Sequence, residues 1–229
     1  MSIKAVRFLV FPLFVAGLSF SIPLTGQNVN DAGLWTTFKL EAKVAKKLNA
    51  SILQEFRFYE NITELGAFFT EAGLEYKINK HFQVEVNYRF TQRRKVENYY
   101  SYRHRFGIEV KYSKKIKPLE LKLRSRLQDQ YADIGRSDDG GVAEYYLRNK
   151  IGVNWDTKKA YTPYFSVEFY SPLNYPRYAV FDNIRTMAGV EYAFSKHHKL
   201  DLYYLVHKEL NVSLPKTYFV IGLGYTYKI

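Results

Sequence analysis

One pattern repeats along most of the chain: segments of about ten residues in which apolar and polar side chains alternate, separated by short breaks. Successive side chains of a β-strand lie on opposite faces, so each segment predicts a strand with one apolar and one polar face. In residues 217–229 the apolar face is nearly unbroken and the other face is mostly small or polar. Its apolar positions are Phe219, Ile221, Leu223, Tyr225, Tyr227 and Ile229.

The clearest hairpin lies in residues 68–90, where two alternating runs flank a short turn at residues 79–81. Such regularity across a tight turn is typical of paired antiparallel strands. Short and long connections alternate along the chain, and the short ones carry lysines, as at Lys46, Lys114 and Lys158. Short turns on one side and longer loops on the other are typical of outer-membrane barrels.

In water, the apolar strand faces would have to pack against a second layer of protein, and the sequence contains no helical segments that could form such a layer. In lipid, a closed barrel needs no second protein layer, because its apolar side chains face the acyl chains. Aromatic residues also cluster near predicted strand ends, as an interfacial girdle requires. The chain is therefore predicted to be all-β: a single-domain antiparallel transmembrane β-barrel. The alternative is a soluble lipocalin-like barrel, whose apolar side chains would point inward around a ligand.

The pattern alone leaves the number of strands open between ten and twelve. Eleven alternating segments are found, whereas single-chain bacterial barrels have even numbers. Either residues 27–33 add a short strand, giving twelve, or one segment does not span, giving ten. Twelve is the favoured expectation.

The first residues are typical of a secretory signal peptide. Lys4 and Arg7 precede an apolar core at residues 8–18, and residues 19–26 are rich in small side chains. We expect cleavage near Gly26, leaving residues 27–229 as the barrel in the outer membrane of a Gram-negative-type envelope. An uncleaved membrane anchor is the alternative, and the short apolar core disfavours it.

The amino-acid composition excludes several kinds of site. The absence of cysteine excludes disulfides, thiol catalysis and thiolate metal sites. The net charge of +12 suits lipopolysaccharide phosphates better than nucleic acid in an exported barrel. The expected partners are outer-membrane lipid and lipopolysaccharide, with the barrel-assembly machinery during biogenesis. A monomer is expected rather than an oligomer, and no cofactor is predicted.

The polar strand faces are rich in charge and are predicted to line the lumen. The lumen-facing candidates are Glu55, Arg57, Glu75, Arg89, Arg103, Arg105, Glu109, Arg124, Arg126, Arg148, Glu168, Arg185 and Glu191. In the favoured interpretation they pair across and fill the interior of a structural or surface-binding barrel. Alternatively, the excess of arginine lines a small anion-selective diffusion channel.

A third hypothesis is an outer-membrane lipid-modifying enzyme. Serine, histidine and acidic residues are available, namely Ser101, His104, Ser166, Glu168, Asp201 and His207, but the sequence does not show that they meet. There is no HExxH motif and no phosphate-binding glycine loop. No catalytic, cofactor-binding or metal-binding residue is therefore assigned.

Several short motifs resemble the domain of unknown function 2490 family. They are Gly33-Leu34-Trp35-Thr36, Glu55-Phe56-Arg57, the run at residues 102–106, Val167-Glu168-Phe169-Tyr170 and the run at residues 221–225. The resemblance covers nearly the whole chain after the signal peptide. It implies a secreted outer-membrane barrel without an assigned activity, and it transfers no catalytic residue.

Overall fold

The computed structural model describes residues 29–95, 99–132, 143–174 and 180–229. The predicted signal peptide at residues 1–26 lies outside them, as does most of the acidic, glycine-rich loop at residues 133–142. The strands are β1 (Val29–Ala45), β2 (Leu48–Tyr59), β3 (Glu64–Lys77), β4 (Phe82–Arg94), β5 (Tyr100–Ile116), β6 (Leu119–Ala132), β7 (Glu144–Trp155), β8 (Tyr161–Pro172), β9 (Asn183–Ala193), β10 (His198–Glu209) and β11 (Lys216–Lys228). Within the described ranges, no helix has the length and hydropathy needed to span a membrane.

The strands form one closed barrel in chain order, with antiparallel pairing between each strand and the next. The first and last strands close it in parallel, with Leu34 opposite Ile221 and Phe38 opposite Tyr225. The all-β, single-barrel prediction is confirmed. The prediction of an antiparallel barrel is wrong at the seam, because β1 and β11 run in parallel. The expected strand number of twelve is also wrong, as is the alternative of ten: the described residues form eleven strands.

The physical reason lies at the start of β1. A twelfth strand would require the chain to reverse direction between residues 27–33 and Leu34. Instead, β1 runs without interruption through Gly33, which pairs with Val220 of β11. Parallel pairing satisfies the backbone groups of both end strands as well as antiparallel pairing would, so closure does not demand an even number.

At one end of the barrel the connections have four to eleven residues. The five connections at the other end, where β11 also finishes, are turns of two to five residues. Side chains hold several of them. In the β3–β4 turn, the side-chain oxygen of Asn79 accepts hydrogen bonds from the backbone N–H groups of His81 (2.8 Å) and Phe82 (2.9 Å). In the β9–β10 turn, the Ser195 hydroxyl oxygen accepts from two backbone N–H groups at 3.1 Å each. Such Asx- and Ser-type turns explain why these breaks are so short.

The outer face of the barrel is apolar. Many large hydrophobic side chains on it are about half exposed, including Ile108 (55%), Ile151 (51%) and Leu202 (56%). Polar and charged side chains alternate with them and point inward. This is the reverse of the lipocalin-like arrangement, in which the apolar faces would enclose a ligand.

An apolar cluster fills one sector of the barrel interior. Trp35 of β1, Leu205 of β10 and Val220 of β11 are buried against each other, and Met187, Tyr59, Tyr203 and Tyr218 pack around them. Gly222 lies beneath the Tyr203 ring, which a Cβ at that position would meet at 1.9 Å. The remaining interior, lined mainly by β2 to β9, is charged.

Candidate functional site in the barrel interior

Charged side chains occupy the middle of the barrel, and most of the fully inward ones are buried. Glu55, Arg105, Glu109, Arg126, Arg148 and Glu168 are each less than a tenth exposed. Some ion pairs join strands that are not neighbours, as between Arg105 of β5 and Glu71 of β3. Such pairs form only inside the barrel, across the intervening strand.

Glu71 is shared by two arginines. The Nε atom of Arg89 lies 2.7 Å from Glu71 Oε2, and the Nη2 atom of Arg105 lies 2.6 Å from the same oxygen. Arg89 and Arg105 are directly opposite each other in the β4–β5 register. Like charges opposite each other repel, so the single carboxylate between them compensates an otherwise unfavourable pair.

A second cluster is centred on Glu109 and Glu168. Glu109 pairs with Arg126, and the Nε atom of Arg124 lies 3.7 Å from it. Glu168 accepts hydrogen bonds from Arg148 Nε (2.9 Å) and from Arg124, and it lies 3.9 Å from Arg185 Nη1.

Arg148 makes several further contacts in this cluster. Its Nη1 and Nη2 atoms donate to Gln128 (3.0 Å) and to the Tyr170 hydroxyl (2.8 Å). Together with Glu168, these partners hold the guanidinium in one orientation.

Aromatic rings contact the flat faces of several of the guanidinium groups. Arg57 lies 3.7 Å from the centroid of the Trp35 ring and donates from Nε to Glu55 at 2.6 Å. Phe69 is placed between Arg89 (3.5 Å) and Arg57 (5.0 Å). These cation–π contacts stabilise buried charge without a carboxylate.

Tyr170 does the same on the other side of the interior. Its ring lies 4.2 Å from the Arg148 guanidinium carbon and 5.3 Å from that of Arg185.

The interior near the short turns is charged but more exposed. Lys111 pairs with Glu75 at 2.9 Å and also with Glu85. Lys199 pairs with Glu191, and the Tyr164 hydroxyl donates to Asp201 at 2.9 Å. Among these side chains the four carboxylates of Glu75, Glu85, Glu191 and Asp201 outnumber the two ammonium groups, whereas arginines outnumber carboxylates at the centre.

The structure brings most of the sequence-predicted residues into one connected interior. Glu75 and Glu191 lie apart from the central clusters, towards the short turns. Arg103 lies half-buried on the same face of β5 as Arg105, nearer the loops. The prediction omitted Glu71, Lys111, Lys150, Trp35, Phe69 and Tyr170. Their positions in the alternation place them on the polar face, and that was the signal available for finding them.

The residues considered for catalysis do not form a nucleophile–base pair. His207 Nε2 lies 3.0 Å from the Asn183 side chain, and His104 is on the outer face of the barrel, 2.8 Å from the Tyr88 hydroxyl. In the described ranges no serine hydroxyl is bonded to a histidine ring, and no three His, Asp or Glu side chains are grouped as metal ligands.

Comparison with known proteins places the chain in a family. Residues 32–217 match the model described as protein of unknown function DUF2490. The chain belongs to the DUF2490 family. The resemblance predicted from the short motifs is thereby confirmed, and it covers most of the chain. The family description assigns no activity to its members, so it adds none to this DUF2490 protein.

Solved structures similar to the DUF2490 chain are bacterial barrels. The NanC porin is 13% identical, with a TM-score of 0.50 over 77% of this chain and 85% of that one. An anion-selective porin from Comamonas acidovorans gives a TM-score of 0.38 at 13% identity, covering 80% of this chain and 53% of that one. The β domain of the Bordetella autotransporter BrkA gives 0.43 at 11% identity, covering 80% and 82%. No curated protein sequence matches the chain.

The NanC similarity supports the barrel fold of the DUF2490 chain and nothing finer. Within that fold, the interior of this chain is packed with arginine, glutamate and aromatic side chains. Function is best argued from that interior.

Proposed function

We propose that the protein is an outer-membrane β-barrel whose interior is closed at mid-height. In this proposal it acts as a structural or surface-binding protein and does not conduct solutes as an open pore. After export by a cleaved signal peptide at residues 1–26, it is inserted as a monomer by the barrel-assembly machinery. Its outer face contacts lipid, and its long-loop end contacts lipopolysaccharide.

The outer surface supports the membrane location. Half-exposed apolar side chains cover the wall on all sides, and water would make such a surface prone to association. Aromatic side chains on the outer face lie towards the two ends of the wall, as with Phe90 and Tyr102 on the loop side and Tyr192 and Phe194 near the short turns. Amphipathic rings of this kind favour the interfaces of a bilayer.

The packed interior is the observation that supports a closed barrel. Ten of the eleven strands contribute an inward side chain that is less than a tenth exposed. These side chains are Trp35, Glu55, Phe69, Asn87, Arg105, Arg126, Arg148, Glu168, Leu205 and Val220. The wall of a water-filled pore would remain exposed to solvent, whereas these side chains contact one another.

A small anion-selective channel is the second candidate, and one observation favours it. In the central clusters, the seven arginines 57, 89, 105, 124, 126, 148 and 185 face only four carboxylates, those of Glu55, Glu71, Glu109 and Glu168. Any passage through such a field would admit anions in preference to cations.

Conductance in a planar bilayer separates the two candidates. We expect no current steps from correctly folded protein, while a diffusion porin in the same detergent serves as the positive control. Steps whose reversal potential favours chloride over potassium would instead support the channel. Membrane fractionation tests the location, and recovery in the soluble periplasmic fraction would contradict it.

A further inference from the structure

Lys150 occupies an unusual position in the interior. It lies on β7, directly opposite Arg124 of β6 on one side and Glu168 of β8 on the other, and Glu168 is opposite Arg185 of β9. Side chains directly opposite on neighbouring strands have Cβ atoms about 5 Å apart. Lys150 therefore belongs to a row of charged residues that crosses four strands.

Unlike its neighbours, Lys150 has no partner in the part of the chain that the structure describes. Arg124, Arg148 and Arg185 all reach the single carboxylate of Glu168. Arg148 and Arg185 also stack against Tyr170. No ion pair, hydrogen bond or ring contact joins Lys150 to any described residue, although it interacts electrostatically with Arg124 and Glu168.

The charge around Lys150 is out of balance. Arg124, Arg126, Arg148, Arg185 and Lys150 carry five positive charges, and only Glu109 and Glu168 form ion pairs with members of this group. Glu71 interacts with Arg126, and Asp201 with Lys150, at longer range. Arg124 is opposite Lys150, and Arg126 is opposite Arg148, so like charges meet directly in the β6–β7 register. Like charges held close together in a largely buried interior are unfavourable, and an anion bound among these side chains would reduce that cost.

Hydrogen-bond donors without acceptors also favour a bound anion. The Nε atoms of Arg124, Arg126 and Arg185 are buried and find no hydrogen-bond partner among the residues that the structure describes. With the Lys150 ammonium, the row therefore presents several donors and a shortage of acceptors. A ligand with several acceptor oxygens satisfies such a set better than a monatomic ion does.

Lys150 is also accessible, since its side chain is only partly buried. Gly152, the next inward position of β7 towards the short turns, has no side chain to cover it.

We propose that Lys150, with Arg124 and Arg185, forms an interior binding site for a small oxyanion of the phosphate or carboxylate class. The site goes beyond the proposed function and requires the packed interior but not the membrane location. Arginine forks match two oxygens of such an anion, and the ammonium supplies a point charge. The bound anion would offset the positive excess around Glu168.

Inorganic phosphate is the probe for this site. The full-length barrel, folded in neutral detergent, is titrated with phosphate by calorimetry and by thermal melting, with chloride at matched ionic strength as the reference. The test variant is Lys150→Met, and the matched control is Lys122→Met. Lys122 faces the same interior but pairs with Glu120 at 3.5 Å.

We expect saturable phosphate binding by the wild type and by Lys122→Met, and a loss of at least about tenfold in affinity in Lys150→Met. The order of melting temperatures should also change with the buffer. Without phosphate, Lys150→Met should melt above the wild type because one uncompensated charge is gone. With saturating phosphate, the wild type should gain stability that the variant does not.

Absence of a saturable phosphate effect in the wild type overturns the proposal. So does an equal loss of binding in Lys122→Met, since the effect would then be general attraction by the interior charge. If Lys150→Met does not fold, Lys150→Gln takes its place with the same expectations. Conductance does not test this proposal. A barrel that conducts no current can either contain the oxyanion site or lack it, and only the phosphate titration distinguishes the two.

Discussion

Glu41 of β1 and Lys228 of β11 form an ion pair of 3.1 Å at the short-turn end of the barrel. The two residues are also direct partners in the β1–β11 register. Both strands therefore run towards the same end, and β1 begins at the end that carries the long loops. This pairing is the consequence of an odd strand number.

Cysteine pairs test the parallel closure. Glu41→Cys with Lys228→Cys should crosslink on oxidation, because partner positions on neighbouring strands lie within the range that a disulfide requires. Asn30→Cys with Lys228→Cys should not, since Asn30 is opposite Thr217 at the other end. The chain has no native cysteine, so a mobility shift on a non-reducing gel reports only the introduced pair. Crosslinking of the second pair alone would indicate antiparallel closure.

Removal of the carboxylate shared by Arg89 and Arg105 should be strongly destabilising. Glu71→Gln leaves two opposed, buried guanidinium groups uncompensated, and we expect a loss of about 3–5 kcal/mol in the free energy of unfolding. Adding Arg105→Met should recover part of this loss because it removes one of the opposed charges. Urea unfolding in detergent or lipid vesicles measures both effects.

Glu120→Gln is the matched control for that experiment. Glu120 pairs with Lys122 at 3.5 Å where the lysine side chain is 49% exposed, so its removal should cost no more than about 1 kcal/mol. Equal effects of the two substitutions would show that Glu71 compensates nothing specific.

Depth in the bilayer is tested by one substitution at two heights on β5. Ile108 and Ile116 are both outward and similarly exposed, at 55% and 58%, but Ile116 is the last residue of the strand. Ile108→Arg should cost about 2–4 kcal/mol and Ile116→Arg at most about 1 kcal/mol, because the cost of a charge falls towards the interface. Folding titrations in vesicles give both values. Equal costs would argue against a wall embedded in lipid.

The two tryptophans provide an internal comparison for the packed interior. Trp35 is 3% exposed and stacks against Arg57, whereas Trp155 is 43% exposed on the outer face. We expect Trp35→Ala to cost about 3–5 kcal/mol, since it leaves a cavity and strips a guanidinium of its aromatic partner. Trp155→Ala should cost distinctly less in the same urea unfolding assay. A reversed order would mean that the interior is loosely packed.

Much of the strand pattern was predictable because a strand's two faces follow from backbone geometry alone. The hairpin of β3 and β4 and its turn at Asn79 lie where the alternation indicates. The apolar faces point outward, as expected. The strand number was not predictable, because whether residues 27–33 reverse or continue into β1 depends on the partner that β11 offers to Gly33.

The alternation of apolar and polar residues also did not predict which interior side chains pair with each other. Alternation placed Arg105 and Arg124 on inward faces, but their carboxylates, Glu71 and Glu168, lie two strands away. That distance is bridged only when the barrel closes at a particular diameter and stagger.

The sequence by itself determined the β class, the positions of the strands, which side chains face inward, and membership of the DUF2490 family, because each depends on local order along the chain. Only the tertiary structure decided the parallel closure of eleven strands, the sharing of Glu71 by Arg89 and Arg105, and the isolation of Lys150. These depend on which strands meet and how far apart they lie across the interior, and the period-two alternation within one strand contains no information about either.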